Sequence, residues 1–155
     1  MMIEQTLILN SNLLKINSIT VETKLDKKLP DITGSADQLQ QVFMNFVSNA
    51  IEAMEAVEKR VLSIETRHEL GDNSILIKFR DSGTGIPEED TERIFEPFFT
   101  TKKGKGIGLG LSVAYGIVQE HGGRIEVTSD TDKGTKIEIV FPLNNNSVNP
   151  DIKEE

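Results

Sequence analysis

Residues 35–57, SADQLQQVFMNFVSNAIEAMEAV, form one amphipathic helix on their pattern alone. Ser35-Ala36-Asp37-Gln38 has the form of a capping box, in which the serine hydroxyl accepts from a first-turn amide and Gln38 reaches back to the Ser35 N–H. At about 100° per residue, Leu39, Val42, Phe43, Phe46, Val47, Ala50, Met54 and Val57 fall in a sector roughly 140° wide. Asn45, Asn49 and Glu52 lie just outside one border of that stripe, where a helix meets a cleft.

On either side of this helix the apolar period is two. Upstream, Ile19, Val21, Thr23 and Leu25 share one face of a strand, and residues 3–16 have the spacing of a short helix. Downstream, Leu62, Ile64 and Thr66 share a face, and a Gly-Asp-Asn-Ser turn leads into Ile75, Ile77 and Phe79. Further on, Ile125 and Val127 precede a Ser-Asp-Thr-Asp-Lys-Gly turn, followed by Ile137, Ile139 and Phe141. Residues 108–121 read as a second helix, stopped by Gly122-Gly123. Hairpins with one apolar face predict a mostly antiparallel sheet covered by helices on one side, an α+β two-layer sandwich. Residues 82–107 fit no regular element; with glycines, two prolines and a lysine cluster, they read as a lid. The domain is expected over residues 1–143, with a flexible tail over 144–155.

Composition narrows the function. The chain has 155 residues, a net charge of −8 and no cysteine, which excludes a disulfide framework, Cys-ligated metal centres and a cysteine nucleophile. That acidity argues against general nucleic-acid binding, which needs lysine and arginine facing phosphates. No apolar run approaches the roughly 18 residues of a membrane span, and the N-terminus lacks the basic region of a secretory signal. One local basic cluster, Lys102, Lys103 and Lys105, stands in a glycine-rich stretch suited to an anion.

Neither a P-loop nor a Gly-x-Gly-x-x-Gly fingerprint occurs. Asp81-Ser82-Gly83-Thr84-Gly85-Ile86 ends a strand with a carboxylate able to accept from an exocyclic amine, or is a plain turn with Asp as turn former. Gly106-Ile107-Gly108-Leu109-Gly110-Leu111 opens a helix with bare amides for an anion, or is a flexible joint. Asn45 and Asn49 are surface amides or, as hard carbonyl oxygens, suit Mg²⁺.

Taken together, these segments resemble the sensor histidine kinases, whose Bergerat ATP-binding fold is shared with type II topoisomerase ATPases, Hsp90 and MutL. NFVSNAIEA (45–53) resembles their N box, DSGTGI (81–86) the G1 box, IFEPFFTTK (94–102) the F box and GKGIGLGLS (104–112) the G2 box. The resemblance spans residues 3–143 and implies a domain that binds ATP and Mg²⁺. It further implies that Asp81 accepts the adenine amino hydrogen, that Gly83, Gly85 and Ile86 line the base, and that Thr135 supports the same contact through water. Asn49 would coordinate Mg²⁺, while the amides of Gly106, Gly108, Leu109, Gly110 and Leu111 would hold phosphate oxygens. Lys102 and Lys105 would meet the γ-phosphate, and Phe95, Phe98 and Phe99 would anchor the lid.

Two departures from the wider superfamily bear on chemistry. The hydrolysing relatives carry a glutamate where this chain has Asn45, and a neutral amide cannot act as general base near pH 7. Glu52 stands where many histidine kinases have a basic residue. His68, near a turn, and His121, at a helix end whose dipole suits a partial positive charge, do not resemble a phosphoacceptor. The resemblance therefore implies the catalytic domain of a longer kinase, cytoplasmic, monomeric as this fragment and without membrane contact. Its partners would be a separate histidine-containing dimerisation domain and a response-regulator receiver domain. The alternatives are a Bergerat-fold ATPase clamp and a regulatory nucleotide-binding module without turnover.

Overall fold

The computed structural model describes residues 1–99 and 110–143. In chain order its elements are α1 (Met2–Leu9), α2 (Ser11–Ile16), β1 (Thr20–Lys24), α3 (Ala36–Ala53), β2 (Val61–Glu69), β3 (Ser74–Asp81), α4 (Gly110–Glu120), β4 (Arg124–Asp130) and β5 (Gly134–Pro142), with a 3₁₀ turn at Glu88–Asp90. The five strands form one sheet in the order β1-β2-β3-β5-β4. Three of its four pairings are antiparallel and the β1–β2 pairing is parallel, so the sheet is mixed and mostly antiparallel. This is the α+β sandwich expected from the hairpin patterns.

The core lies between the helices and the sheet. Phe43 and Phe46 of α3 meet Phe79 of β3 at ring-centroid distances of 5.9 and 5.5 Å. The stripe read from sequence is buried from Leu39 to Met54 and Ile51 joins it, whereas α3 ends at Ala53 and Val57 beyond it is only partly buried. On the opposite face the strands carry alternating charge, including Glu65 with Lys78 at 3.8 Å and Glu138 with Lys136 at 2.8 Å. The hydrogen bond from Lys136, aided by Lys78 and Arg67, holds the Glu138 carboxyl below the usual carboxylate range. Its contribution to stability is therefore present at neutral pH and fades as pH falls through that lowered value. This face is solvated, which leaves the helix side for a ligand.

The structure alters two local expectations. The helix expected over residues 3–16 is two helices, parted at Asn10, whose side-chain amide donates to the Thr6 carbonyl at 2.8 Å and reaches Met44 Sδ at 3.2 Å. A buried asparagine tied to its own helix and to α3 is worth a break in helical geometry there. The capping box at α3 is only half formed with the predicted partners. Ser35 Oγ accepts from Gln38 N at 3.3 Å, but the Ser35 N–H donates to His121 Nε2 at 3.0 Å.

That contact assigns the tautomer of His121. A backbone N–H can only donate, so Nε2 is the acceptor, and Nδ1 carries the proton given to the Ile117 carbonyl at 2.7 Å. His121 is thus a neutral latch between the end of α4 and the start of α3, not the partly positive dipole partner expected from sequence. Gly34 permits it, because a Cβ there would overlap the imidazole. The end of α4 is closed by Gly122 N to Gln119 O and Gly123 N to Val118 O, at 3.0 and 2.9 Å, the paired bonds of a Schellman motif.

Candidate functional site

Three polar side chains stand abreast on the inward face at one end of the sheet. Asp81 ends β3, Thr135 is the second residue of β5 and Ser129 lies near the end of β4; the registers pair Asp81 with Thr135 and Thr135 with Ser129. Two residues along each strand the same face carries Phe79, Ile137 and Val127, so this row is where the apolar core gives way to polar groups. Asp81 Oδ1 accepts from Gly83 N at 2.9 Å, and Thr135 is 7% exposed.

The loop over residues 82–86 is pinned from three directions. Ser82 Oγ donates to the Lys59 carbonyl at 2.6 Å and accepts from Val61 N at 2.8 Å. Thr84 N donates to the Ala53 carbonyl at the end of α3 at 3.0 Å, and Thr84 O accepts from Asp132 N at 2.7 Å. Ile86 N donates to Ser129 Oγ at 2.7 Å. The two glycines are demanded by these close approaches. A Cβ at Gly83 would come within 2.5 Å of the Ala53 carbonyl oxygen, and one at Gly85, where φ is +74°, would collide with the Asp130 carbonyl. The close approach of protein backbone requires glycine at both positions.

On the helix side, Asn45, Asn49 and Glu52 are each half-buried on α3. Asn45 Nδ2 donates to the Gly110 carbonyl at 2.9 Å, joining α3 to the first turn of α4. Asn49 stands one turn further along α3, toward the end that holds Thr84. Gly110 and Leu111 open α4, with Leu111 packed against the core. Lys102, Lys105, Gly106, Gly108 and Leu109 lie outside the described residues. The structure thus brings α3, the 82–86 loop, the Asp81–Thr135 row and the start of α4 together.

A family model described as histidine kinase-, DNA gyrase B- and HSP90-like ATPase matches residues 34–145. The chain belongs to this family. Sporulation kinase A of Bacillus subtilis (strain 168) is 41% identical over 128 residues, covering 82% of this chain and 20% of the kinase, so the chain spans about a fifth of that relative. The catalytic domain of histidine kinase ThkA superposes with a TM-score of 0.78 at 30% identity, covering 91% of this chain and 90% of that one. Full-length ShkA in complex with AMPPNP superposes with a TM-score of 0.79 at 25% identity, covering 91% of this chain and 29% of ShkA. Within the family, the chain is of the sensor histidine kinase type.

The donor set of this ATPase-family domain suits magnesium in one particular way. Among the described residues no group of three or more His, Cys, Asp or Glu side chains is gathered to cage a metal. Magnesium is commonly held by few protein oxygens, with phosphate and water completing its shell, and an asparagine carbonyl such as that of Asn49 is of the right kind.

The aromatic residues of 94–99 only partly match their expected role. Phe95 packs on Tyr115 of α4 at 5.2 Å, and Phe99 lies under Arg93 at 4.6 Å. Phe98 is 73% exposed among the described residues, and Ile94, at 4%, is buried. Neither histidine is placed to accept phosphate. His68 lies within β2 with its Nε2 buried, and both ring nitrogens of His121 are engaged. Sequence reasoning missed Ser82 and Ser129, which read as ordinary turn serines; the Ser82 partners Lys59 and Val61 and the Ser129 partner Ile86 are distant in sequence and carry no local signature.

Proposed function

We propose that this domain binds Mg²⁺-ATP and passes the γ-phosphoryl group to a histidine on a separate helical dimerisation domain of its parent kinase. The observation that carries this reading is the junction of α3, the 82–86 loop and the Asp81–Thr135 row, in a chain of the histidine kinase type. Asp81 accepts from the adenine amino group, with Thr135 supporting through water and Gly83, Gly85 and Ile86 lining the base. Asn49 offers a carbonyl oxygen to magnesium, which when bound neutralises phosphate charge. The amides at Gly106, Gly108, Leu109, Gly110 and Leu111 hold phosphate oxygens, and Lys102 and Lys105 balance the γ-phosphate.

Asn45 favours transfer over hydrolysis. Its amide nitrogen is engaged with the Gly110 carbonyl, and an amide has no basicity with which to activate water. The acceptor imidazole is a stronger nucleophile that needs no such base. As the P–N bond forms, the bond from γ-phosphorus to the bridging oxygen breaks and ADP leaves. A response-regulator aspartate is the next acceptor, and the reading carries a cytoplasmic location, where ATP is present.

Mixing the domain with its dimerisation domain as a separate polypeptide tests this. The domain alone is expected to bind ATP, hydrolyse it very slowly and remain unlabelled, whereas the mixture labels the dimerisation domain with acid-labile, alkali-stable phosphate. Apparent affinity between the two pieces is weak, because the tether's effective concentration is absent. Rapid hydrolysis by the domain alone would instead favour an ATPase clamp. Asn49→Ala is expected to weaken ATP binding about tenfold in Mg²⁺, equivalent to roughly 1.4 kcal/mol, and to change it little in a chelator. Equal losses under both conditions would make Asn49 a structural residue.

A further inference from the structure

We infer that Ser129 is a positioning residue for base selection: it orients the Thr135 hydroxyl as a hydrogen-bond acceptor and so favours 6-aminopurine over 6-oxopurine nucleotides. This rests on the nucleotide reading above and adds a residue outside every motif box.

The inference follows from counting protons. Three groups surround Ser129 Oγ: Ile86 N at 2.7 Å, the Gly134 carbonyl oxygen at 3.0 Å and Thr135 Oγ1 at 2.9 Å. The amide of Ile86 can only donate and the carbonyl of Gly134 can only accept. Ser129 has one proton, and all three contacts are satisfied together only when Gly134 takes it. The third contact is then made by Thr135 donating to Ser129. With its proton committed, Thr135 faces any ligand with lone pairs alone.

Beside it in register stands Asp81, a carboxylate and likewise an acceptor. The base end of the site therefore offers two neighbouring acceptors. A 6-amino group donates into such a pair, directly or through a water that Thr135 accepts from. A 6-oxo group brings a third acceptor against them and is left unpaired or repelled, the kind of mismatch on which polar sites discriminate. Removing the Ser129 hydroxyl frees the Thr135 proton to rotate toward the ligand, where it can donate to the 6-oxo oxygen.

Calorimetric titration of the domain with ATP and ITP, both with Mg²⁺, tests this in wild type, Ser129→Ala and Ser129→Thr. The wild type is expected to prefer ATP, and Ser129→Ala to narrow the ATP-to-ITP preference by roughly three- to tenfold, the worth of one net hydrogen bond. Ser129→Thr, which keeps the hydroxyl, should restore the preference. A loss of equal size for both nucleotides would overturn the inference and leave Ser129 as support for the Ile86 loop only. An unselective wild type that still binds ATP would overturn it too, while leaving the nucleotide reading intact. Failure of the wild type to bind either nucleotide would sink both. Thermal melting monitors folding; should Ser129→Ala not fold, Thr135→Val, which removes the acceptor at constant shape, must narrow the preference in the same direction.

Discussion

Asp81→Asn is expected to weaken ATP binding about ten- to a hundredfold while leaving the fold intact. Asp81 performs two tasks that this substitution separates. Through Oδ1 it accepts from Gly83 N at 2.9 Å, shaping the start of the 82–86 loop. Asparagine retains a carbonyl oxygen and can keep that bond. The proposed contact with the adenine amine differs. There the exchange replaces a charged acceptor by a neutral amide, whose nitrogen can present donors to another donor. Hydrogen bonds to charged groups contribute roughly 1.5–3 kcal/mol, which corresponds to the expected range of affinity. Calorimetric titration measures the loss and a thermal melt measures the fold. Unchanged affinity in a folded variant would remove Asp81 from the site. Asp81→Ala would be a poorer test, since it also deletes the bond to Gly83.

Gly134→Ala is expected to have the largest effect on stability, about 3–5 kcal/mol. The backbone at Gly134 has φ of +94°, a left-handed conformation that strains any side chain. An added Cβ would also collide with the carbonyl oxygen of Asp81. The obstacle is main chain in the central strand β3, so no rotamer change relieves it. Relief requires β5 to move away from β3 at the Asp81–Thr135 pair, the end of the sheet where the candidate site lies. For a domain of this size the melting temperature should fall by about 10 °C or more. Gly71→Ala serves as the control: a side chain there would meet nothing within 4 Å beyond its chain neighbours, and a change within about 0.5 kcal/mol is expected. A Gly134→Ala variant as stable as that control would refute the close approach of β3 and β5.

Much of the fold was legible because its signals are local. The α3 stripe needs only the 3.6-residue period, and the alternation of Ile75, Ile77 and Phe79 or of Ile137, Ile139 and Phe141 needs only the two-residue period of a strand. Periodicity reports which face is apolar, and burial then follows. The boxes were legible for a related reason. Asp81, Gly83 and Gly85 lie in one short loop, and Asn45 and Asn49 on one helix, so spacing along the chain carries their arrangement.

What periodicity could not carry was every decision made between segments distant in sequence. Gln38 is well placed to complete the cap of α3, yet the Ser35 amide donates to His121, 86 residues away. Asn10 divides a segment whose spacing suits a single helix, because its amide finds both Thr6 and Met44. Phe98 belongs to an aromatic cluster but lies exposed, while Ile94 is buried.

The sequence by itself determined the architecture, the polar margin of α3 and the membership of Asp81, Asn49 and Thr135 in one set of motifs, because short-range pattern encodes each of these. Only the tertiary structure decided that Gly83 and Gly85 answer to the carbonyls of Ala53 and Asp130, and that a neutral His121 latches α4 to α3. It alone placed Ser129 where three partners set the direction of one proton. The reason is physical: a hydrogen bond or a close backbone approach is a relation between two positions in space, and the chain records each partner separately.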